Sequence, residues 1–157
     1  ELLDLLRRDL IEIAVVRTPF PMDGMQCRFL EAEPMAAAAR PGWFAGEGAL
    51  SVAALASWPL IVYRRFESLI ASVCQEAGFE PDLFYKTQDA RTSLLWADAG
   101  LGVALVPQSA LAIIPGGLSF RPIAEESLYT RIAAIAKQTR TLSEPAEAFL
   151  AAFGACS

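Results

Sequence analysis

Hydrophobic positions along the chain fall into two spacings, one suited to helices and one to buried strands. At the start, Leu2, Leu3, Leu5, Leu6 and Leu10 lie mainly on one helical face, with Asp4, Arg7 and Arg8 outward. The β-branched run "IEIAVV" follows at once and predicts a strand that stops at "RTPFP". "MQCRFLEAEPMAAAAR" predicts one or two strands with Glu31 and Glu33 alternating outward, and "PGWFAGEG" a loop whose glycines suit a change of direction between lobes. "LSVAALAS" predicts a short helix capped by Ser51. A repeating unit then appears: strand "PLIVY", helix "RRFESLIASVCQEAGF" closed by Gly78, strand "DLFYKT", helix "QDARTSLLWADAG", strand "GVALVP". Such alternation predicts an α/β fold with parallel, doubly wound sheet. Two extended runs, "LSFRPIA" and "LYTRIAAIA", precede a last helix with Ser143 as N-cap and Phe149, Leu150 and Phe153 as its buried face.

The glycine pair in "WADAGLGVALVP" separates a helix from a strand, in that order. A phosphate-cradling loop needs the reverse order, because phosphate rests on N–H groups at a helix N-terminus. Asp89 is the expected N-cap of this helix, with Leu94 and Leu95 as its buried positions. Gly100 suits the left-handed residue that ends it, and Gly102 a close backbone approach.

Composition narrows the function. The 157 residues are 54% hydrophobic, which places the chain among folded proteins with room for one core or two small lobes. No apolar run reaches the ~20 residues that span a bilayer, and the N-terminal stretch is amphipathic and of mixed charge, unlike a signal peptide. The chain opens on Glu1, which fits an internal fragment, and a cytoplasmic setting is expected. Net charge is −5 with scattered basic residues, so no basic stripe is available to grip a nucleic-acid backbone. Cys27, Cys74 and Cys156 are widely spaced and read as buried or free thiols. Histidine is absent, which removes Ser-His-Asp and Cys-His nucleophiles and imidazole metal sites.

In open α/β sheets, ligands settle beyond the carboxyl ends of the strands. The residues that follow the expected strands are Arg17, Thr18 and Pro19, then Arg64 and Arg65, then Thr87, Gln88 and Asp89, then Pro107, Gln108 and Ser109. Polar donors, three arginines and helix N-termini favour a small carboxylate or similar anion. The alternative for each arginine is a bond to a loop carbonyl or a surface acid. The carboxylate pairs Glu31/Glu33 and Glu125/Glu126 fall where solvated positions are expected, so no catalytic residue, metal or cofactor is assigned.

The order of elements resembles a known family. "ELLDLLRRDLIEIAVVR" is similar to the opening helix and strand of the effector-binding domain of LysR-type transcriptional regulators. "FLEAEPMAAAARPGW" resembles that domain's crossing strand, with Arg40-Pro41-Gly42 where the family normally shows His-Pro-Leu. "LIVYRRFESLIASVCQEAGFEPDLFYKTQDARTSLLWADAGLGVALVP" resembles its second lobe. The resemblance implies a two-lobe fold like type II periplasmic binding proteins, with doubly wound, mostly parallel sheets and a ligand cleft between lobes. Residues 1–38 and 122–157 would form the first lobe and 39–121 the second. Carried over by position, effector contacts fall at Arg17, Thr18 and Pro19, at Tyr63, Arg64, Arg65 and Phe66, and at Thr87, Gln88, Asp89 and Ala90. Asp9-Leu10-Ile11-Glu12 stands where the family shows Gly-x-Leu-Asp, a departure expected to alter the turn before the strand. The strand-helix-strand that opens the family's first lobe has no counterpart here, so that lobe is expected to be incomplete.

The resemblance implies the ligand-sensing domain of a regulator rather than an enzyme, with DNA bound through an N-terminal helix-turn-helix and a homodimer or homotetramer as the assembly. The stripe Leu69, Ile70, Val73 and Ala77 is the expected association surface, with burial against its own sheet as the alternative. A transport solute-binding protein is the rival on the same fold, and an upstream export signal would favour it. The charge pattern predicts that this chain alone binds DNA weakly or not at all. A low-salt mobility-shift titration checks this, and sequence-specific sub-micromolar binding would overturn it.

Overall fold

The computed structural model describes residues 1–113 and 116–154, and Cys156 lies outside them. Along the chain come α1 (Leu2–Arg7), β1 (Ile13–Arg17), β2 (Met25–Phe29), β3 (Met35–Ala39), β4 (Leu60–Tyr63), α2 (Glu67–Glu76), β5 (Tyr85–Thr87), α3 (Ala90–Asp98), β6 (Val103–Pro107), β7 (Ser119–Pro122), β8 (Ile132–Lys137) and α4 (Glu144–Ala152). Short 3-10 turns fill several connections, including Val52–Ser57 after Ser51. Two compact units result: Glu1–Ala32 with the segment from Thr130 onward, and Glu33–Tyr129. The chain therefore passes between units at 32/33 and at 129/130, not within "PGWFAGEG", which lies inside the second unit. Arg121 holds that loop by donating to the carbonyls of Ala45, Glu47 and Gly48, each at 2.6 Å.

The first unit is a three-stranded antiparallel sheet in the order β1-β8-β2. Its middle strand is buried on both faces from Ala133 to Ala136. Leu6 of α1 packs with Ala14, Ala133 and Ile135 on one face, and Leu150 of α4 with Ala134 and Ala136 on the other. In α4, Ala146 and Leu150 are one turn apart and face the sheet. Phe149 does not join that face: it is 44% exposed, beside Phe153.

The turn between α1 and β1 keeps the geometry that a glycine would give. Asp9 has φ 58°, and the Leu10 N–H reaches back to the Leu5 carbonyl at 2.9 Å. Aspartate tolerates this left-handed region better than most residues with a Cβ. Here its carboxylate is also held by Lys137 at 2.9 Å and lies 3.8 Å from Arg140. Arg140 in turn donates to the carbonyls of Asp9 and Ile11. Glu12 accepts from the backbone N–H of Ser143 at 2.8 Å and from its hydroxyl at 2.7 Å. Ser143 is the N-cap residue of α4, but its hydroxyl serves Glu12 instead of the helix.

The second unit is a five-stranded sheet in the order β5-β4-β6-β3-β7. β4 runs parallel to β5 and β6, whereas β3 is antiparallel to β6 and β7. β3 and β6 are buried along their whole length, so both read as continuous apolar runs. α2 covers one face through Ile70, Val73 and Cys74, and α3 the other through Leu94 and Ala97. Ile70 and Val73 are thus consumed by the unit's own core, which leaves half-buried Leu69 and exposed Ala77 of that stripe at the surface. Leu95 points away from the sheet and is 53% exposed, because Leu94 and Ala97 already define the inward face.

Gly100 ends α3 with φ 82°, and its N–H bonds to the Ala97 carbonyl. At Gly102 the restriction is steric: a Cβ would stand 2.5 Å from the Pro59 carbonyl oxygen. That oxygen accepts the Val103 N–H at 2.9 Å as β6 enters the sheet beside β4. Gly102→Ala should therefore lower stability by about 1–3 kcal/mol, the range typical of overpacking. Urea unfolding monitored by circular dichroism measures this, and a loss under ~0.5 kcal/mol, within the noise of tolerated surface changes, would show that the chain yields there.

Candidate functional site

The parallel strands place their ends side by side. Tyr63 pairs with Thr87, and Val62 with Leu105, so the segments after β4, β5 and β6 share one rim of the second unit. β4 leads through α2 to β5 on one side, and β5 leads through α3 to β6 on the other, with the two helices on opposite faces. The strand order reverses between β4 and β6, where open α/β sheets form their ligand crevice. Arg64, Arg65 and Gln108 flank this point, and all three are exposed.

The expected site residues do not all present side chains there. Phe66 is 1% exposed and belongs to the core, with its ring edge-on to Tyr63 at 5.5 Å. What Phe66 can offer a ligand is therefore its backbone. Thr87 is also buried. Its hydroxyl lies 2.6 Å from that of Ser93 and donates to the Asp89 carbonyl at 3.0 Å. Asp89 caps α3 as the sequence predicts, accepting from the Thr92 N–H at 2.8 Å and the Thr92 hydroxyl at 2.9 Å. Its negative charge thus already occupies the helix N-terminus that an anion would seek. Gln88 is exposed and Ala90 half-buried.

In the first unit, Arg17 and Thr18 close the end of β1. Arg17 donates to the buried Thr130 hydroxyl at 2.9 Å. The Thr18 N–H bonds to the Arg131 carbonyl, and the Thr18 hydroxyl oxygen accepts the Arg131 N–H, both at 2.9 Å. Pro19 follows through a cis peptide bond.

One participant escaped the sequence reading. Glu33 was expected to be a solvated strand position, yet its carboxylate accepts the Ser109 N–H at 2.6 Å and the Ser109 hydroxyl at 2.9 Å. It thereby fastens the turn that begins after β6. A partner 76 positions away leaves no local signal. Of the thiols, Cys27 is half-buried and Cys74 buried, and desolvation raises the pKa of each.

An α/β chain in two units, with polar strand ends gathered around a reversal of strand order, has the type II periplasmic-binding-protein-like fold. Residues 1–155 match the family described as LysR substrate binding domain, and the chain belongs to that family, one of transcriptional regulators. It is 32% identical over 130 residues to the HTH-type transcriptional regulator BudR of Raoultella terrigena, a match covering 78% of this chain and 45% of BudR. The chain thus spans less than half the length of that relative. Two solved structures share the fold. One is the C-terminal domain of a probable LysR family regulator from Rhodococcus sp. RHA1, at 22% identity and TM-score 0.81, covering 96% of this chain and 77% of that one. The other is the BenM effector binding domain with its effector benzoate, at 18% identity and TM-score 0.75, covering 96% and 74%. Among the described residues, no helix is long and apolar enough to cross a membrane.

The cap predicts a pH dependence. The Thr92 N–H, then the Thr92 hydroxyl, hold the Asp89 carboxyl below the ordinary carboxylate pKa. Bonds from Lys137 and Ser143 do the same for Asp9 and Glu12 respectively. A carboxylate lowered by folding stabilises fully above its unfolded pKa, about 4, and that stability is lost as pH falls through the lower folded value. Melting temperature should therefore drop on acidification below about pH 4. Asp89→Asn, which caps without titrating, should drop less steeply than the parent over the same range. Equal slopes would remove Asp89 from the acid response.

Proposed function

We propose that this chain is the effector-binding part of a LysR-type regulator and that its ligand is a small anion, a carboxylate first of all. The contacts would come from Arg17–Pro19, Tyr63–Phe66 and Thr87–Ala90. The observation that carries the reading is the exposed pair Arg64 and Arg65, placed after β4 at the reversal of strand order. Family membership supports the sensing role, and BenM's benzoate supplies a chemically suitable first probe. The division of labour follows from the burial pattern. Arg64 and Arg65 supply charge, exposed Gln88 supplies an amide, and buried Thr87 and Phe66 shape the rim from beneath.

Ligand binding would act by favouring one arrangement of the regulator over another, which requires different affinity for the two. DNA contact through a helix-turn-helix, a homodimeric or homotetrameric assembly and a cytoplasmic setting belong to the whole protein in this proposal. The same fold on a transport solute-binding protein is the rival, and the match to BudR favours the regulator.

A thermal-shift screen of benzoate and small aliphatic carboxylates, followed by calorimetry on Arg64→Met and Arg65→Met, tests the pocket. A hydrogen bond to a charged partner contributes roughly 1.5–3 kcal/mol, so losing a contacting arginine should weaken binding about ten- to a hundredfold. The ligand-free melting temperature should barely move, since both side chains are exposed. Unchanged affinity in both variants would reject the arginine pocket.

A further inference from the structure

The two places where the chain passes between its units are each fastened by a residue of a candidate ligand rim. At 129/130, Thr130 is fully buried and its hydroxyl accepts from Arg17 at 2.9 Å. The next residue, Arg131, exchanges two bonds with Thr18, through its carbonyl and its N–H, both at 2.9 Å. At 32/33, Glu33 is the first residue of the second unit, and its carboxylate takes both the N–H and the hydroxyl of Ser109. Ser109 follows β6, one side of the strand-order reversal.

Both fasteners join residues far apart in sequence, 113 positions for Arg17 and Thr130 and 76 for Glu33 and Ser109. A crossing segment could satisfy its polar groups with water or with its own neighbours. Here each crossing instead takes its partner from a strand's carboxyl end, where the family's ligand contacts are expected. A group that draws on Arg17 or on the turn at Ser109 must compete with, or reinforce, the bonds that hold a crossing.

We propose that Thr130 and Glu33 are positioning residues that couple occupancy of the rims to the order of the two crossings. The coupling rests on the ligand reading above for its stimulus, but the fastening itself exists without ligand. Because coupling is reciprocal, loosening a crossing must also change what the rim presents to a ligand.

Hydrogen–deuterium exchange on the 157-residue chain separates the two. Without ligand, Thr130→Val should speed exchange of the Thr18 and Arg131 amides about tenfold, the scale of one lost charge-assisted bond. Thr130→Ser should restore the parent rate, because it keeps the hydroxyl. Glu33→Ala should do the same to the Ser109 amide, with Glu33→Gln partly restoring it, so the second crossing is tested even if Thr130→Val fails to fold. The amides of β4 should stay unchanged in both units' variants. Crossing amides within twofold of the parent in both Thr130→Val and Glu33→Ala would overturn the proposal.

Benzoate is the probe for the second readout, which a purely structural bond would not move. In the parent, benzoate that slows exchange at the rims should also slow it at 30–34 and 128–132, and Thr130→Val should abolish the effect at 128–132 alone. Slowing at the rims with unaltered crossings in the parent would overturn the coupling. Absence of any slowing at the rims counts against the carboxylate reading and leaves the ligand-free rates to decide the fastening.

Discussion

Every strand in this chain ends against the same requirement: backbone groups that leave the ladder must find partners before the chain turns. Side chains, some from distant segments and some from the next turn, meet that need at several of these ends. Thr18 closes β1 on Arg131, Glu33 closes β6 through Ser109, and Thr87 with Ser93 closes β5 onto the Asp89 carbonyl. In the first unit, Glu12 does the corresponding service for the Ser143 N–H beyond β8, while Asp9 pairs with the Lys137 side chain at the strand's end. β3, β6 and most of β8 are apolar along their length, and these polar clasps stand at their margins.

The clasps also explain what was legible in the sequence and what was not. The order of helices and strands followed from hydrophobic spacing, and Asp89 and Gly100 announced the two ends of α3 because caps depend on residues within one turn. Gly102 was legible as a close approach, although not the Pro59 carbonyl that makes it necessary. Which strands run antiparallel was hidden, since a buried apolar strand reads the same in either direction. So were the inward faces at Leu95 and Phe149, where two or three apolar candidates shared a helix and the register of packing chose among them. Glu33 was misjudged for a different reason: alternation places a side chain on a face, but cannot tell solvent from a backbone N–H 76 residues later.

Asp9 shows how a departure from a family pattern can preserve a shape by other means. The turn needs a left-handed residue, which glycine supplies without strain. This chain supplies aspartate, and adds Lys137 and Arg140 around the carboxylate. The cations come from the end of β8 and the loop beyond it, so the carboxylate adds to the bonds by which Lys137 and Arg140 already hold the backbone carbonyls of Arg7, Asp9 and Ile11. The left-handed geometry is kept, and the ionised carboxylate adds two cationic neighbours to it.

The same electrostatic reasoning bears on the ligand. The rim of the second unit carries Arg64 and Arg65, but a carboxylate stands on either side of them: Asp89 after β5 and Glu33 before β3. Both acids accept from N–H and hydroxyl donors of the turns beside them. Their charges nonetheless reduce the positive potential around the arginines, and they penalise a second negative group placed over the ends of β5 or β6. A single carboxylate aligned on the arginines avoids that repulsion, whereas a dianion spread along the rim meets it. If the ligand is the carboxylate proposed above, charge placement at the strand ends favours a monoanion with an uncharged or hydrogen-bond-donating remainder over a multiply charged one.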